Sequence, residues 1–216
     1  MEQKKEDNKN KINAIIFDMN GVLVQGIELK KKTPLSKGFH TLMSKSLKVN
    51  LDKWIDSIDT SYAKSIEGKI TEKKVLNTIA KNLEITPRKL EKTIIKNYKK
   101  LFKDNEELYK YAFELKKRGY KIAILSDQWH FSKKAIYDEK KIKKFDVVVT
   151  SCDVGMRKPN PKIYKLTLKK LRVKPHESIF VDNRDWNTEP AEKIGIKTVV
   201  FKNNKQAIRE MEKLLE

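Results

Sequence analysis

The stretch AIIFDMNGVLV, residues 14–24, constrains the fold of this chain more than any other. Ala14, Ile15, Ile16 and Phe17 make an unbroken apolar run rich in β-branched and aromatic side chains, as a strand buried on both faces requires. Asp18 follows where that strand ends. Gly21 then lets the chain turn sharply with backbone N–H groups facing inward. In open α/β sheets ligands bind beyond the carboxyl ends of the strands, so a strand-end Asp is well placed for chemistry. The same pattern also serves as ordinary turn geometry, and what separates the two readings is the rest of the chain.

Three more strand-end polar sites follow in order. In KIAILSDQ, Tyr120 to Leu125 reads as a buried strand with Ser126 and Asp127 at its end. GMRKPNPKIY is a Gly- and Pro-rich loop that carries Arg157 and Lys158 ahead of a helix opening near Pro161. In SIFVDNRDWN, Ile179 to Val181 forms a strand with Asp182 and Asn183 at its tip. Gathered at one sheet edge, these groups suit an anionic substrate. Asp18 can attack as a carboxylate nucleophile, giving a covalent intermediate that water later hydrolyses. Ser126 and the turn amides at Gly21 can hold the oxygens of the transferring group, and Lys158 can neutralise its charge. Asp182 offers a hard oxygen to Mg²⁺, an ion that takes few carboxylates and completes its shell with substrate oxygens.

FDMNGVL, ILSD, RKPNPKIY and FVDNRDWN, in that order, resemble the four motifs of the haloacid dehalogenase superfamily of hydrolases. The likeness extends over roughly residues 12 to 202, and EGKITEKKVLNTIAKNLEI resembles the cap segment of the subgroup with a helical cap inserted after the first strand. The resemblance implies an α/β fold: a Rossmann-like three-layer core with a parallel sheet, plus an inserted all-helical cap. Residues 12–26 and 105–216 would form the core, 27–104 the cap, and the uniformly polar 1–11 a disordered tail. It also implies catalytic roles for Asp18, Asn20, Ser126 and Lys158, and substrate binding by Gly21, Ser126, Asp127 and Lys158. Asp18, Asn20 (through its backbone carbonyl), Asp182 and Asn183 would hold Mg²⁺.

The departures from the family pattern bear on activity. Relatives read D-x-D-G at the first motif, and their second Asp protonates the leaving oxygen and later activates water. Here that position is Asn20, whose amide exchanges no proton near neutral pH, so the general acid–base step has no evident owner; such assistance is worth ~10²–10⁴-fold. His130 is a candidate replacement. Asn183 stands where relatives place a second acid near the metal, which weakens Mg²⁺ binding. Asp127 stands where relatives carry Asn or a Thr-like residue, and it would repel phosphate unless it points away or pairs with Lys158. Three readings follow, in order of preference. The first is a Mg²⁺-dependent phosphohydrolase acting on a small phosphorylated metabolite, for which an acyl phosphate would need little protonation. The second is a non-catalytic ligand-binding relative, and the third a dehalogenase-like hydrolase. The VDN of the fourth motif argues against the last, with Trp186 only a faint echo of it.

Between Gly26 and Gly119 no strand signal is evident, and from Leu35 to about Lys103 apolar residues recur at helical spacing. That stripe includes Leu51, Trp54, Ile55 and Ile58, then Val75, Ile79 and Leu83, then Leu90, Ile94 and Tyr98. Thr71, and Thr86 with Pro87, are good helix starts. Phe39, His40, Trp54 and Tyr62 are the expected substrate contacts from the cap. Beyond it, a helix at 105–118 ends at Gly119. Further expected elements are a helix from Ser132, strand Val147–Thr150, helix Pro161–Leu171, helix Thr188–Ile194, strand Thr198–Phe201 and a closing helix from Asn204.

The net charge of +20 comes from 49 basic residues of which only six are Arg (88, 118, 157, 172, 184 and 209). Lysine spread evenly along helices reads as a solvated surface. The Arg clusters interleaved with aromatics that would argue for nucleic acid are missing. No run of some 18 apolar residues suggests a membrane span, and a lone Cys152 suits a reducing cytoplasm.

Overall fold

The computed structural model describes residues 11–27 and 35–216, so all but the last residue of the tail expected at 1–11, and the first part of the expected cap (28–34), lie outside the described residues. The five-stranded sheet is parallel throughout. Its strands are β1 (Ala14–Phe17), β4 (Lys121–Ser126), β5 (Val147–Thr150), β6 (Ser178–Asp182) and β7 (Lys197–Val200), in the spatial order β5-β4-β1-β6-β7. β1 is central and buried along its whole length, as its unbroken apolar run demands. Alternate residues feed two cores. Ile15 and Phe17 pack with Ile122, Ile124 and Val181 on one face; Ala14 and Ile16 pack with Ala123, Leu125 and Phe180 on the other.

Helices cover both faces. The first core also takes in Leu108, Tyr109 and Leu115 of α5 (Glu106–Lys117) and Met211 of α11 (Asn204–Leu215). The second takes in Ile163, Tyr164 and Leu168 of α9 (Pro161–Leu171) and Ala191 of α10 (Asp185–Lys193). This is the expected three-layer α/β arrangement. Register decides the chemistry: Phe17 lies opposite both Ile124 and Val181, so Asp18 and Asp182 emerge side by side at the carboxyl edge.

Among the described residues, four helices are inserted between β1 and α5: α1 (Leu35–Leu47), α2 (Leu51–Ile66), α3 (Glu72–Asn82) and α4 (Pro87–Leu101). Thr71 and Thr86 cap α3 and α4 through their hydroxyls, with Pro87 in the first turn, as expected. Asn50 caps α2 in the same way. The apolar stripe packs these helices on one another, except that Leu51 and Ile55 are exposed.

One expectation fails here. The interval read as free of strands contains β3 (Phe102–Asp104), which pairs antiparallel with β2 (Val24–Gly26). Three residues are too few to show a period of two, and the pairing partner lies far away in sequence. This ribbon carries the chain into and out of the insertion. Shorter misses have similar causes. The helix after β4, α6 (His130–Ile136), begins two residues earlier than expected, and α10 begins at Asp185 rather than Thr188. Two one-turn helices, α7 (Glu139–Ile142) and α8 (Ser151–Val154), are too short to show a periodicity.

Asn105 ties the ribbon to the core. Its side chain accepts from Leu108 N to cap α5 and donates to the carbonyl of Val22 (2.9 Å) in the turn after β1. Removing a buried, fully used amide leaves Val22 O and the helix start without partners. Asn105→Ala should therefore lower stability by about 1–3 kcal/mol, read as a shift in the urea midpoint at constant slope.

Candidate functional site

Lys158 sits on the loop before α9 and is 2% exposed, with its ammonium between two strand ends. It lies 2.9 Å from Asp18 Oδ1 and 2.6 Å from Asp182 Oδ2, and it donates to the Leu125 carbonyl at 3.3 Å. Three ammonium hydrogens thus meet three oxygens, one from each of β4, the end of β1 and β6. Burial disfavours its charged form, but Asp18, Asp182 and Asp127 outweigh that and hold the ammonium above the ordinary lysine range. Asp18 is 5% exposed. Burial raises its pKa to about 6, with Asp182 adding to the rise and Lys158 opposing it.

Asp182 is saturated. Its Oδ1 accepts from the Arg184 backbone (2.9 Å) and from Asn187 (3.2 Å), and its Oδ2 accepts from Lys158 and again from Asn187 (3.1 Å). A carboxylate has about four such positions. Asn187 did not stand out in the sequence; its spacing, five residues past a strand-end Asp, was the available signal.

The first motif ends in a turn held by its own amides: Gly21 N donates to Val24 O, Val24 N and Val22 N to Met19 O, and Leu23 N to Asp18 O. The Gly21 amide, expected to face substrate, is therefore consumed within the turn. Gly21 matters for another reason. Its φ is +87°, and a Cβ there would overlap the amide of Asn183, which lies against it.

Gln128, also unremarked in the sequence, links two of the expected residues. Fully buried, it donates through Nε2 to Ser126 Oγ (2.8 Å) and accepts from Asn20 Nδ2 (3.4 Å). With its nitrogen so engaged, Asn20 presents Oδ1, the only buried side-chain polar atom among the described residues that lacks a partner. Asp127 points away from the site centre: it accepts from Lys158 N (3.0 Å) and lies 3.6 Å from Arg157 Nε.

A cavity of about 460 Å³ opens above this edge. Asn20, Gly21, Asn183 and Arg184 line its core side; Phe39, His40, Ile55, Ile58, Asp59, Tyr62 and Tyr98 line it from the insertion. Of the four expected contacts from the insertion, Phe39, His40 and Tyr62 line it. Trp54 does not: it is buried and donates to His40 Nδ1 at 2.9 Å. An indole nitrogen only donates, so His40 is neutral there, and burial lowers its pKa further. His130 is directed elsewhere, its Nε2 on the carbonyl of Ile70 (2.8 Å), and it is absent from the cavity wall. Cys152 is inert, its thiol pushed up to about 12 by burial and by Asp153.

Among the described residues no three His, Cys, Asp or Glu side chains gather as a metal cage. With Asp182 saturated, the positions open to a cation are a remaining lone pair on the Lys158-bound oxygen of Asp18, Asn20 (its unpartnered Oδ1, or the backbone carbonyl expected from the resemblance) and the exposed Asn183. One carboxylate and neutral oxygens fit a Mg²⁺ that completes its shell with water and substrate phosphate. No helix among the described residues is long and apolar enough to cross a membrane.

The model of the haloacid dehalogenase-like hydrolases matches residues 12–195. Over 105 residues the chain is 36% identical to bifunctional epoxide hydrolase 2 of Rattus norvegicus, covering 46% of this chain and 19% of that protein. Over 104 residues it is 38% identical to glyceraldehyde 3-phosphate phosphatase of Pyrococcus furiosus, covering 45% of this chain and 42% of that one. It is 36% identical over 90 residues to (S)-2-haloacid dehalogenase 4A of Burkholderia cepacia, covering 40% and 38%. Each match thus spans less than half of the relative's length. Two solved structures share the fold. A HAD-like family hydrolase from Porphyromonas gingivalis has a TM-score of 0.74 at 19% identity, covering 95% of this chain and 98% of its own. A HAD family enzyme from Bacteroides thetaiotaomicron, complexed with magnesium and inorganic phosphate, has a TM-score of 0.69 at 19% identity, covering 88% and 94%.

Lys158→Met would leave two carboxylates facing each other in a buried site. It should cost about 3–5 kcal/mol at neutral pH. The loss should shrink on acidification, where a shared proton replaces the ammonium; chemical denaturation at two pH values reads both effects.

Proposed function

The chain belongs to the haloacid dehalogenase-like hydrolases, and from that membership we propose that it is a phosphohydrolase working through an aspartyl-phosphate at Asp18. The observation that carries this reading is the buried Lys158 ammonium bridging Asp18 and Asp182 at the sheet edge. A nucleophilic carboxylate must be ionised while facing an anionic phosphoryl group. Lys158 holds one oxygen of Asp18, which leaves the other free to attack, and its charge offsets the approaching negative charge. Because its three hydrogens are already directed at protein oxygens, Lys158 acts on phosphate by its field rather than by a direct bond. Ser126 accepts from Gln128 and so turns its own hydrogen toward a phosphate oxygen. Arg184, on the cavity wall, supplies a second positive charge.

Asp18, Asn20 and Asn183 would hold Mg²⁺, which when bound supplies further neutralisation of the phosphate. Asp182, with no position open, fixes Lys158 instead. The four-helix insertion acts as the cap: it forms one wall of the cavity and excludes water from the reacting groups. The phosphatase and the magnesium–phosphate complex among the relatives support this assignment, and a small phosphorylated substrate is the partner it implies. Saturation of Asp182 and the need to ionise Asp18 are common to other readings, but the unpartnered Asn20 Oδ1, which a Mg²⁺ would use, favours phosphate over a carbon–halide bond.

Phosphate release from acetyl phosphate, with and without Mg²⁺, tests the reading. Asp18→Asn should abolish release. Asn20→Asp should raise turnover at least about tenfold by restoring an acid–base group. Equal release from wild type and Asp18→Asn would defeat the assignment, and an unchanged rate in Asn20→Asp would show that Asn20 is not the limiting feature.

A further inference from the structure

We propose, on the basis of the phosphohydrolase reading, that the substrates are aryl phosphate monoesters: a phosphoryl group on an aromatic body that leaves as a phenoxide. Two independent observations converge on this class. The first is that, among the described residues, no imidazole, phenol or motif-one acid is placed to give a proton, Asp59 being the one carboxyl on the cavity wall. Asn20 is an amide whose nitrogen is committed to Gln128. His130 is bound to Ile70 O outside the cavity, and His40 is held neutral by the Trp54 indole. The Tyr98 phenol accepts from Trp129 (2.8 Å), and burial raises the pKa of Tyr98 and of Tyr62. A leaving oxygen that gets no proton from Asn20 departs as an anion, and a phenoxide tolerates that far better than an alkoxide.

The second is the character of the wall. Phe39, Tyr62, Tyr98, Phe102 and Trp129 supply five aromatic rings to one cavity. They support one another: Phe39 and Tyr98 lie 4.4 Å apart, Tyr98 and Phe102 stack at 5.6 Å, and Tyr62 and Trp129 lie at 5.4 Å. The indole nitrogen of Trp129 is already engaged by Tyr98, so these two rings present mainly their faces and edges to a ligand. The core side contributes Asn20, Asn183 and Arg184, where the phosphoryl group would enter, while His40 and Asp59 are the polar side chains on the insertion side. A volume of about 460 Å³ accommodates a ring-bearing ligand.

The chemistry balances without further reagents. An Asp18 oxygen forms the new bond to phosphorus while the phosphorus–aryl oxygen bond breaks, and its electron pair leaves on the phenoxide, which takes a proton from solvent. Water then attacks the aspartyl phosphate, freeing Asp18 and inorganic phosphate and giving its proton to buffer. Asn20 assists neither step with a proton, so the leaving-group effect is read on kcat/KM, which reports the first irreversible step.

The test compares 4-nitrophenyl, phenyl and cyclohexylmethyl phosphates with acetyl phosphate as the bodiless control, all with Mg²⁺. The aryl esters should exceed the cyclohexylmethyl ester in kcat/KM by about 10²–10⁴-fold, and Asn20→Asp should narrow that gap. Tyr62→Ala should lower kcat/KM for phenyl phosphate by about tenfold, a larger loss than it causes for acetyl phosphate. Equal turnover of the aryl and cyclohexylmethyl esters would overturn the inference while leaving the phosphohydrolase standing. A small gap in wild type that widens in Asp59→Asn would also overturn it, by identifying Asp59 as a proton donor. Failure to release phosphate even from acetyl phosphate would remove the underlying reading and this inference with it.

Discussion

A single buried ammonium organises the carboxyl edge of this sheet. Bringing two carboxylates together inside a low-dielectric sheet edge is unfavourable unless a cation stands between them. Lys158 meets that condition with all three of its hydrogens directed at oxygens from separate strand ends. The parallel register that sets Asp18 beside Asp182 is therefore stable because the loop before α9 delivers Lys158 to the same point. Asn187 and the Arg184 amide complete the shell of Asp182, which makes that carboxylate a fixed anchor rather than a free ligand.

Against this charged triad stands a neutral one. Asn20, Gln128 and Ser126 form a hydrogen-bonded series with no ionisable member, in the place where the family resemblance leads one to expect an acid. An amide preserves shape and hydrogen bonding but exchanges no proton, so the site keeps the Asp18 carboxylate and its positive field without an acid at Asn20. Under the proposed function this asymmetry shapes both what the protein hydrolyses and how fast it regenerates. The first step selects leaving groups that are stable as anions, and the second, in which water must attack without a base, becomes slow.

The fold was legible because its signals are local and strong. The buried run at 14–17 and the strand-end residues Ser126 and Asp182 announce themselves through hydrophobic runs that stop at polar tips. Insertion helices were legible through Thr71, Thr86 and Pro87, whose capping chemistry is also local. What was not legible depends on contacts between distant segments. β3 exists because Phe102–Asp104 meets Val24–Gly26, and neither triplet carries a pattern of its own. Gln128 gains its place only when the turn after β1 is laid beside β4, and the Gly21 amide loses its expected task to a hydrogen bond within its own turn. The direction of His130 away from the site, and of Trp54 toward His40 rather than the cavity, follow from packing of the insertion on the core.

The central claim is that Asp18 carries the phosphoryl group covalently and releases it slowly because Asn20 provides no base. Rapid mixing of the protein with an aryl phosphate and Mg²⁺, followed by acid quench and mass measurement of the intact chain and its peptides, tests it most directly. The account predicts a species heavier by one phosphoryl group, mapped to the peptide containing Asp18, that accumulates in the wild type and becomes short-lived in Asn20→Asp. Release of phosphate with no such species in the wild type, or the same modification in Asp18→Asn, would contradict it.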